Sequence, residues 1–169
     1  MNVSQIIWER LKQETEVVFY LPGGGSGPLV DALGASGLRA VCCLHEQGCG
    51  YAAVGYAQYH GFGVALVTSG PGVTNILTPV LAAWVDSIAL LVISGQVMRK
   101  WLALEDMRSR GTQEGPTIEM VRPIVKIAHQ PSVSAGILEV LDGMIEIAKE
   151  GRPGPVWLDI PQDIQAADV

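Results

Sequence analysis

Six short runs of Val, Ile, Leu and Ala, set between longer amphipathic stretches, constrain this chain more than anything else in it. They are Val17 to Leu21, Arg39 to Leu44, Gly63 to Thr68, Ile88 to Ser94, Ile124 to Ala128 and Pro155 to Ile160. A strand with one solvated face alternates apolar and polar residues; a strand covered on both faces is apolar almost throughout. These runs therefore predict a parallel sheet buried between layers. Between them, Gly27 to Leu33, Gln47 to His60, Gly72 to Trp84 and Ser132 to Glu150 read as helices, and Val3 to Lys12 as a helix before the first strand. The Ser132 to Glu150 stretch repeats apolar residues at Val133, Ile137, Leu138, Leu141, Ile145 and Ala148, close to the helical period. Lys149, Gly151 and Pro153 then supply a stop signal. Strand–helix alternation with right-handed crossovers gives the expected fold class: α/β, a doubly wound, mostly six-stranded parallel sheet with helices on both faces. At 169 residues the chain can enclose one core, and residues 1–169 read as a single domain.

In such sheets, ligands bind beyond the carboxyl ends of the strands. That rule selects Pro22 to Gly27, His45 to Gly48, Ser69 to Gly72 and Gly95 to Val97. Met98 to Gly115 is charged and weakly periodic, and reads as a mobile loop over the site.

Charge and cysteine usage exclude several classes of function. A net charge of -6 without a Lys/Arg cluster argues against a nucleic-acid partner. No apolar stretch approaches the ~20 residues that span a bilayer, so no membrane role is expected. The polar, amphipathic segment Met1 to Leu11 has no signal-peptide core. Three cysteines, two of them adjacent, make no disulfide framework, and a reducing, cytoplasmic setting is the plain reading.

Common glycine-rich motifs fail on inspection. Gly23 to Pro28 follows a strand, but no register gives a dinucleotide fingerprint, since Pro28 occupies the third glycine's place. A nucleophile elbow fails around Ser26 because of Pro28, and around Ser69 because of Val67. Cys42, Cys43, His45 and Cys49 crowd one strand-to-helix junction but lack a C-x-x-C knuckle, so small buried cysteines are a better reading than zinc ligands. Glu46 stands at the ligand-binding edge, between an apolar strand and a helix rich in Ala and Gly. As a first-turn carboxylate it is compatible with simple helix stabilisation or with chemistry, and spacing alone leaves both open.

A set of blocks resolves this. His45-Glu46-Gln47-Gly48 is followed by Tyr51-Ala52-Ala53-Val54-Gly55-Tyr56-Ala57, then by Val67-Thr68-Ser69-Gly70-Pro71-Gly72-Val73-Thr74-Asn75 and Ser94-Gly95-Gln96-Val97. Gly151-Arg152-Pro153-Gly154-Pro155-Val156 leads to Asp159-Ile160-Pro161, and Pro22-Gly23-Gly24 follows the first strand. In order and spacing, over essentially the whole chain, these blocks resemble the pyrimidine-binding (N-terminal) domain of acetolactate-synthase-like thiamine-diphosphate enzymes. The family frequently has Arg at the place of Leu44, Ala at Cys49 and Phe at Thr112, and a shorter loop before the Gln113-Glu114 pair. These departures border the substrate space.

The resemblance implies that Glu46 hydrogen-bonds the aminopyrimidine of bound thiamine diphosphate and drives the tautomer that lets the cofactor deprotonate its own thiazolium carbon. It implies that Pro71, Gly72 and Asn75 support the pyrimidine. It further implies that Gly24, Gly25 and Ser26 line the substrate space, with Gln96 and Gln113 as polar contacts to a 2-keto acid. For His45, a hydrogen-bonding role behind the site and a packed imidazole are both open. Mg2+ and the diphosphate are expected on a complementary subunit, because the Gly-Asp-Gly motif that holds them is absent here. The opening with Met1 favours a naturally split enzyme over an excised piece, and a hetero-oligomer such as a heterotetramer is expected. The implied activity is decarboxylation of a pyruvate-like 2-keto acid with transfer of the acyl unit to an acceptor. The rivals are decarboxylation without carboligation, a non-catalytic scaffold subunit that kept the fold, and a nicotinamide-dependent oxidoreductase.

Overall fold

The computed structural model describes Met1–Val169 throughout. Helix α1 (Val3–Leu11) opens with a reciprocal cap: the Asn2 side chain accepts from the backbone N–H of Gln5, whose own side chain accepts from Asn2 N–H. Strand β1 (Val17–Tyr20), α2 (Gly27–Ser36), β2 (Arg39–Cys42), α3 (Glu46–His60), β3 (Gly63–Val67), α4 (Pro71–Asp86) and β4 (Leu90–Gln96) follow. The chain then runs through α5 (Thr117–Val121), β5 (Ile127–His129), α6 (Ile137–Lys149), β6 (Pro155–Pro161) and α7 (Gln162–Gln165). No helix is long and apolar enough to cross a membrane.

The six strands form one all-parallel sheet in the order β2-β1-β3-β4-β6-β5, so the expected doubly wound α/β architecture is what the chain adopts. Alternate residues of the inner strands serve opposite layers. Val64, Leu66, Leu91, Ile93, Val156 and Leu158 pack with α1, α2, α6 and α7. Ala65, Val67, Leu90, Val92 and Trp157 pack with α3, α4 and α5. Each reversal of direction across the sheet moves the connecting helix to the other face, as right-handed crossovers require. Burial on both sides explains why these strands carry no polar alternation.

Several boundaries depart from the sequence reading, each for a local reason. Strand β4 begins and ends two residues later than expected, because Gly95 and Gln96 pair with Ile160 and Pro161 of β6. Gly95 and Gln96 are thus strand residues rather than the first residues past one. Ile124 lies in a 3-10 turn (Arg122–Ile124) built around Pro123, which lacks an N–H for the ladder, and β5 starts at Ile127. Helix α6 starts at Ile137 rather than Ser132, because Gly136 turns in with φ 78; Val133, counted in the apolar stripe, is 58% exposed. Strand β2 is not covered on both faces: as an edge strand it leaves Arg39, Ala40 and Cys42 exposed. Of the cysteines read as buried, only Cys49 is; Cys42 is exposed and Cys43 intermediate.

The chain leaves β1 toward β2 on one side and re-enters at β3 on the other, so the carboxyl ends of β1 and β3 flank the crevice where such sheets hold ligands. The turns after these strands meet there: Gly25 N–H donates to Thr68 Oγ1 at 3.0 Å.

Candidate cofactor and substrate site

Glu46 is the first residue of α3. His45 caps that helix, its Nδ1 accepting from Gln47 N–H at 3.1 Å; the residue is exposed rather than packed, and it makes no hydrogen bond to the Glu46 carboxylate. Helices α3 and α4 cross closely because of Gly50: a Cβ there would lie 2.2 Å from Pro79 Cγ and 2.8 Å from Ile76 Cγ1. That approach lets Asn75, one turn into α4, reach across, and its Nδ2 donates to Glu46 Oε2 at 3.0 Å. Glu46 is 8% exposed. Its Oε1 accepts from no protein group, yet it is not sealed in, since the one buried side-chain polar atom without a partner is Gln165 Oε1. The arrangement is a fixed carboxylate with one oxygen tied and the other open, at the positive end of a helix dipole. Pro71 is exposed and Gly72 buried at the start of α4.

A cavity of about 460 Å³ opens at the β1/β3 crevice. The strand turns contribute Gly24, Gly25 and Ser69, and the 98–115 segment contributes Trp101, Arg110 and Gln113. The segment expected as a loop over the site thus forms part of the cavity wall. Glu114 organises it by accepting from the backbone N–H groups of Ala103 (2.5 Å), Arg110 (2.7 Å) and Gly111 (3.1 Å), which hold its carboxyl below the usual carboxylate range against the opposing effect of burial. Gln113 takes φ 60, unusual for a residue with a side chain. Its carbonyl oxygen lies 2.2 Å from where a Cβ on Gly70 would stand, and Gly70 itself has φ 55, so only glycine fits there. Behind the cavity, Gln162 Nε2 donates to Gly24 O at 3.0 Å and Gln165 Nε2 to Gly25 O at 2.7 Å, bracing the glycine turn.

Two expected substrate residues lie elsewhere. Ser26 is fully buried in a 3-10 turn, its Oγ donating to Gly23 O at 3.2 Å. Gln96 is 1% exposed, and its amide is committed: Nε2 donates to Gly115 O (3.2 Å), Thr117 Oγ1 (3.3 Å) and Asp159 Oδ2 (3.1 Å), while Oε1 accepts from Val97 N–H (2.9 Å). Asp159 is the centre of this network, also accepting from Ser94 Oγ and from Gln130 Nε2 at 2.7 Å. Its burial pushes the carboxyl up to about 6 despite these donors. A lone carboxylate within the apolar run Pro155 to Ile160 was the signal for it in the sequence.

The structure thus gathers Gly24, Gly25 and Gln113 at the cavity and pairs Glu46 with Asn75, neither of which lines it. The β3–α4 turn, from Ser69 in the cavity wall through Gly70, Pro71 and Gly72 to Asn75, joins the two groups. Ser69, within the Ser69 to Gly72 stretch selected at the strand end, also lines the cavity; Trp101, Arg110 and Gln162 line it too and were not singled out, because they sit in segments without periodicity. No group of three or more His, Cys, Asp or Glu side chains is placed to hold a metal ion.

An open parallel sheet with a cavity at its switch point and a half-tied carboxylate at a strand end defines a doubly wound α/β domain with a candidate ligand site. Residues 1–119 match the family described as "Thiamine pyrophosphate enzyme, N-terminal TPP binding domain", and the chain belongs to that family. It is 37% identical over 169 residues to the acetolactate synthase large subunit of Lactococcus lactis, covering 98% of this chain and 28% of that protein. The Escherichia coli acetolactate synthase isozyme 2 large subunit is 36% identical, with 99% and 30% covered. The chloroplastic acetolactate synthase of Arabidopsis thaliana is 38% identical, with 96% and 24% covered. The chain therefore spans less than a third of the length of these relatives.

Proposed function

We propose that this chain is the pyrimidine-binding part of a thiamine-diphosphate enzyme that decarboxylates a 2-keto acid and transfers the acyl unit to an acceptor, forming a C–C bond. The observation that carries the reading is Glu46: one carboxylate oxygen held by Asn75, the other free, at the open edge of the sheet. That donor and acceptor set fits an aminopyrimidine, whose ring nitrogen needs a positioned carboxyl group to share a proton with. When bound, the cofactor supplies a carbon nucleophile and a sink for the electron pair left by decarboxylation.

The chain's own residues then have defined tasks. Glu46 holds the proton at the ring nitrogen, and Asn75 keeps its carboxylate from rotating away. Pro71, exposed at the start of α4, and Gly72, packed against Thr68, form the turn that would support the ring. Gly24, Gly25 and Gln113 bound the space for the keto acid, where the absence of side chains on the glycines leaves room. Gln96 is a positioning residue, fastening the far end of the 98–115 segment to the sheet through Gly115 and Thr117.

A complementary diphosphate-binding domain, bringing Mg2+, completes the site, either as a separate subunit in a hetero-oligomer such as a heterotetramer or as more of a longer chain. Exposed apolar side chains on the two helices that carry Glu46 and Asn75 support this: Tyr51 and Tyr59 of α3 and Leu81 and Val85 of α4 are 48%, 91%, 47% and 60% exposed.

The test is Glu46→Gln in the reconstituted enzyme. The expected outcome is a loss of turnover of roughly 10²–10⁴-fold with the circular dichroism spectrum of the chain unchanged. Turnover at the wild-type level would sink the assignment.

A further inference from the structure

The cavity carries one charge, and it is positive. Its lining includes Arg110 and no acidic side chain, in a chain whose net charge is -6. The Arg110 guanidinium makes no ion pair, the chain's five salt bridges all lying elsewhere. It is held instead over the Trp101 ring, its Cζ 5.5 Å from the centroid, with Lys100 on the same ring at 5.4 Å. Glu114, whose carboxylate acts on Arg110 through space, has its oxygens taken by three backbone N–H groups and makes no hydrogen bond to the guanidinium. Arg110, itself exposed, is therefore a cation stacked on Trp101 with donors to spare, in the wall of a cavity of a size suited to a small molecule.

We propose that Arg110 receives a second acid group of the substrate, at the end remote from the bond that breaks, and that the substrate class is a 2-oxo acid with a further carboxylate. This rests on the keto-acid reading above. In decarboxylation the bond between the carboxylate carbon and the carbonyl carbon breaks, carbon dioxide leaves uncharged, and the electron pair stays behind. A cation clamped on the departing carboxylate would stabilise the substrate more than the transition state and so raise the barrier. The same cation on an acid group that keeps its charge binds both states equally and slows nothing. A single guanidinium in a decarboxylating site is thus best matched to the group that stays. Trp101 limits the swing of Arg110, and Gly24 and Gly25, which line the same cavity without side chains, leave space for the reacting end.

Calorimetric titration of the full chain at low salt tests this, using 2-oxoglutarate as the dianion and 2-oxobutyrate as the monoanion. The expected result is at least about tenfold tighter binding of the dianion, the scale of one charge-assisted contact. Arg110→Gln removes that preference, and Arg110→Lys retains part of it. Equal affinity for both acids in the wild type, or a preference that survives Arg110→Gln, overturns the proposal. Either result leaves the Glu46 reading standing if Glu46→Gln still abolishes turnover. Conversely, inactivity of the reconstituted wild type toward keto acids would sink the keto-acid reading without altering the binding outcome.

Discussion

At Gly70 the backbone has φ 55 and the Gln113 carbonyl oxygen occupies the place a side chain would take. A methyl group there must both adopt a left-handed conformation and push Gln113, itself at φ 60, out of position. Gly70→Ala is expected to cost about 2 kcal/mol or more, read as a lowered urea midpoint at unchanged slope. The same substitution should disturb the cavity wall more than the Glu46–Asn75 pair, which lies more than a helical turn away. Of the individual residues, Glu46 was legible because its block sits at a strand end and resembles a known pattern. Arg110 was not, because nothing in the loop sequence says which of its cations lines the cavity. Gln96 was legible as polar and near the site, but its burial follows from pairing with β6, which no local pattern encodes.

Strands β4, β5 and β6 and helix α5 are tied together by Asp159 through Ser94, Gln130 and Gln96, the last reaching Thr117. Burial raises this carboxyl from 3.8 to about 6, so its protonated form is the one the fold favours. The resulting stability is complete below its ordinary value and is lost as pH rises through about 6, at about 1.4 kcal/mol per unit of displacement. Asp159→Asn should therefore flatten the stability profile between about pH 4 and pH 7, by up to about 3 kcal/mol, measured by denaturant unfolding across that range. An unaltered profile would mean that the buried charge is compensated in full. Elements themselves were legible where they were long and periodic. Helices α5 and α7, of five and four residues, give no period to detect and exist because the sheet edge and the glycine turn hold them. The start of α6 was missed because apolar spacing continued through Val133 to a glycine that turns the other way.

For the molecule as a whole, the exposed apolar side chains of α3 and α4 are the surface least explained by the chain's own core. Charging one of them by Leu81→Asp is expected to leave the melting temperature of the chain within a few degrees, since Leu81 is 47% exposed. Association with the complementary diphosphate-binding domain should weaken at least about tenfold, measured by sedimentation. Undiminished association would place the partner on another face.

What the residue order determined by itself was the class of fold, the two buried faces of the inner strands and the edge at which Glu46 stands. These depend on periodicity and on right-handed connection, which are local or nearly so. What the tertiary structure decided was which residues share the cavity, that Ser26 and Gln96 are buried outside its lining, and that Arg110 stacks on Trp101 in its wall. Those outcomes depend on contacts between segments far apart in the chain, set by strand order and register, and no local pattern carries that information.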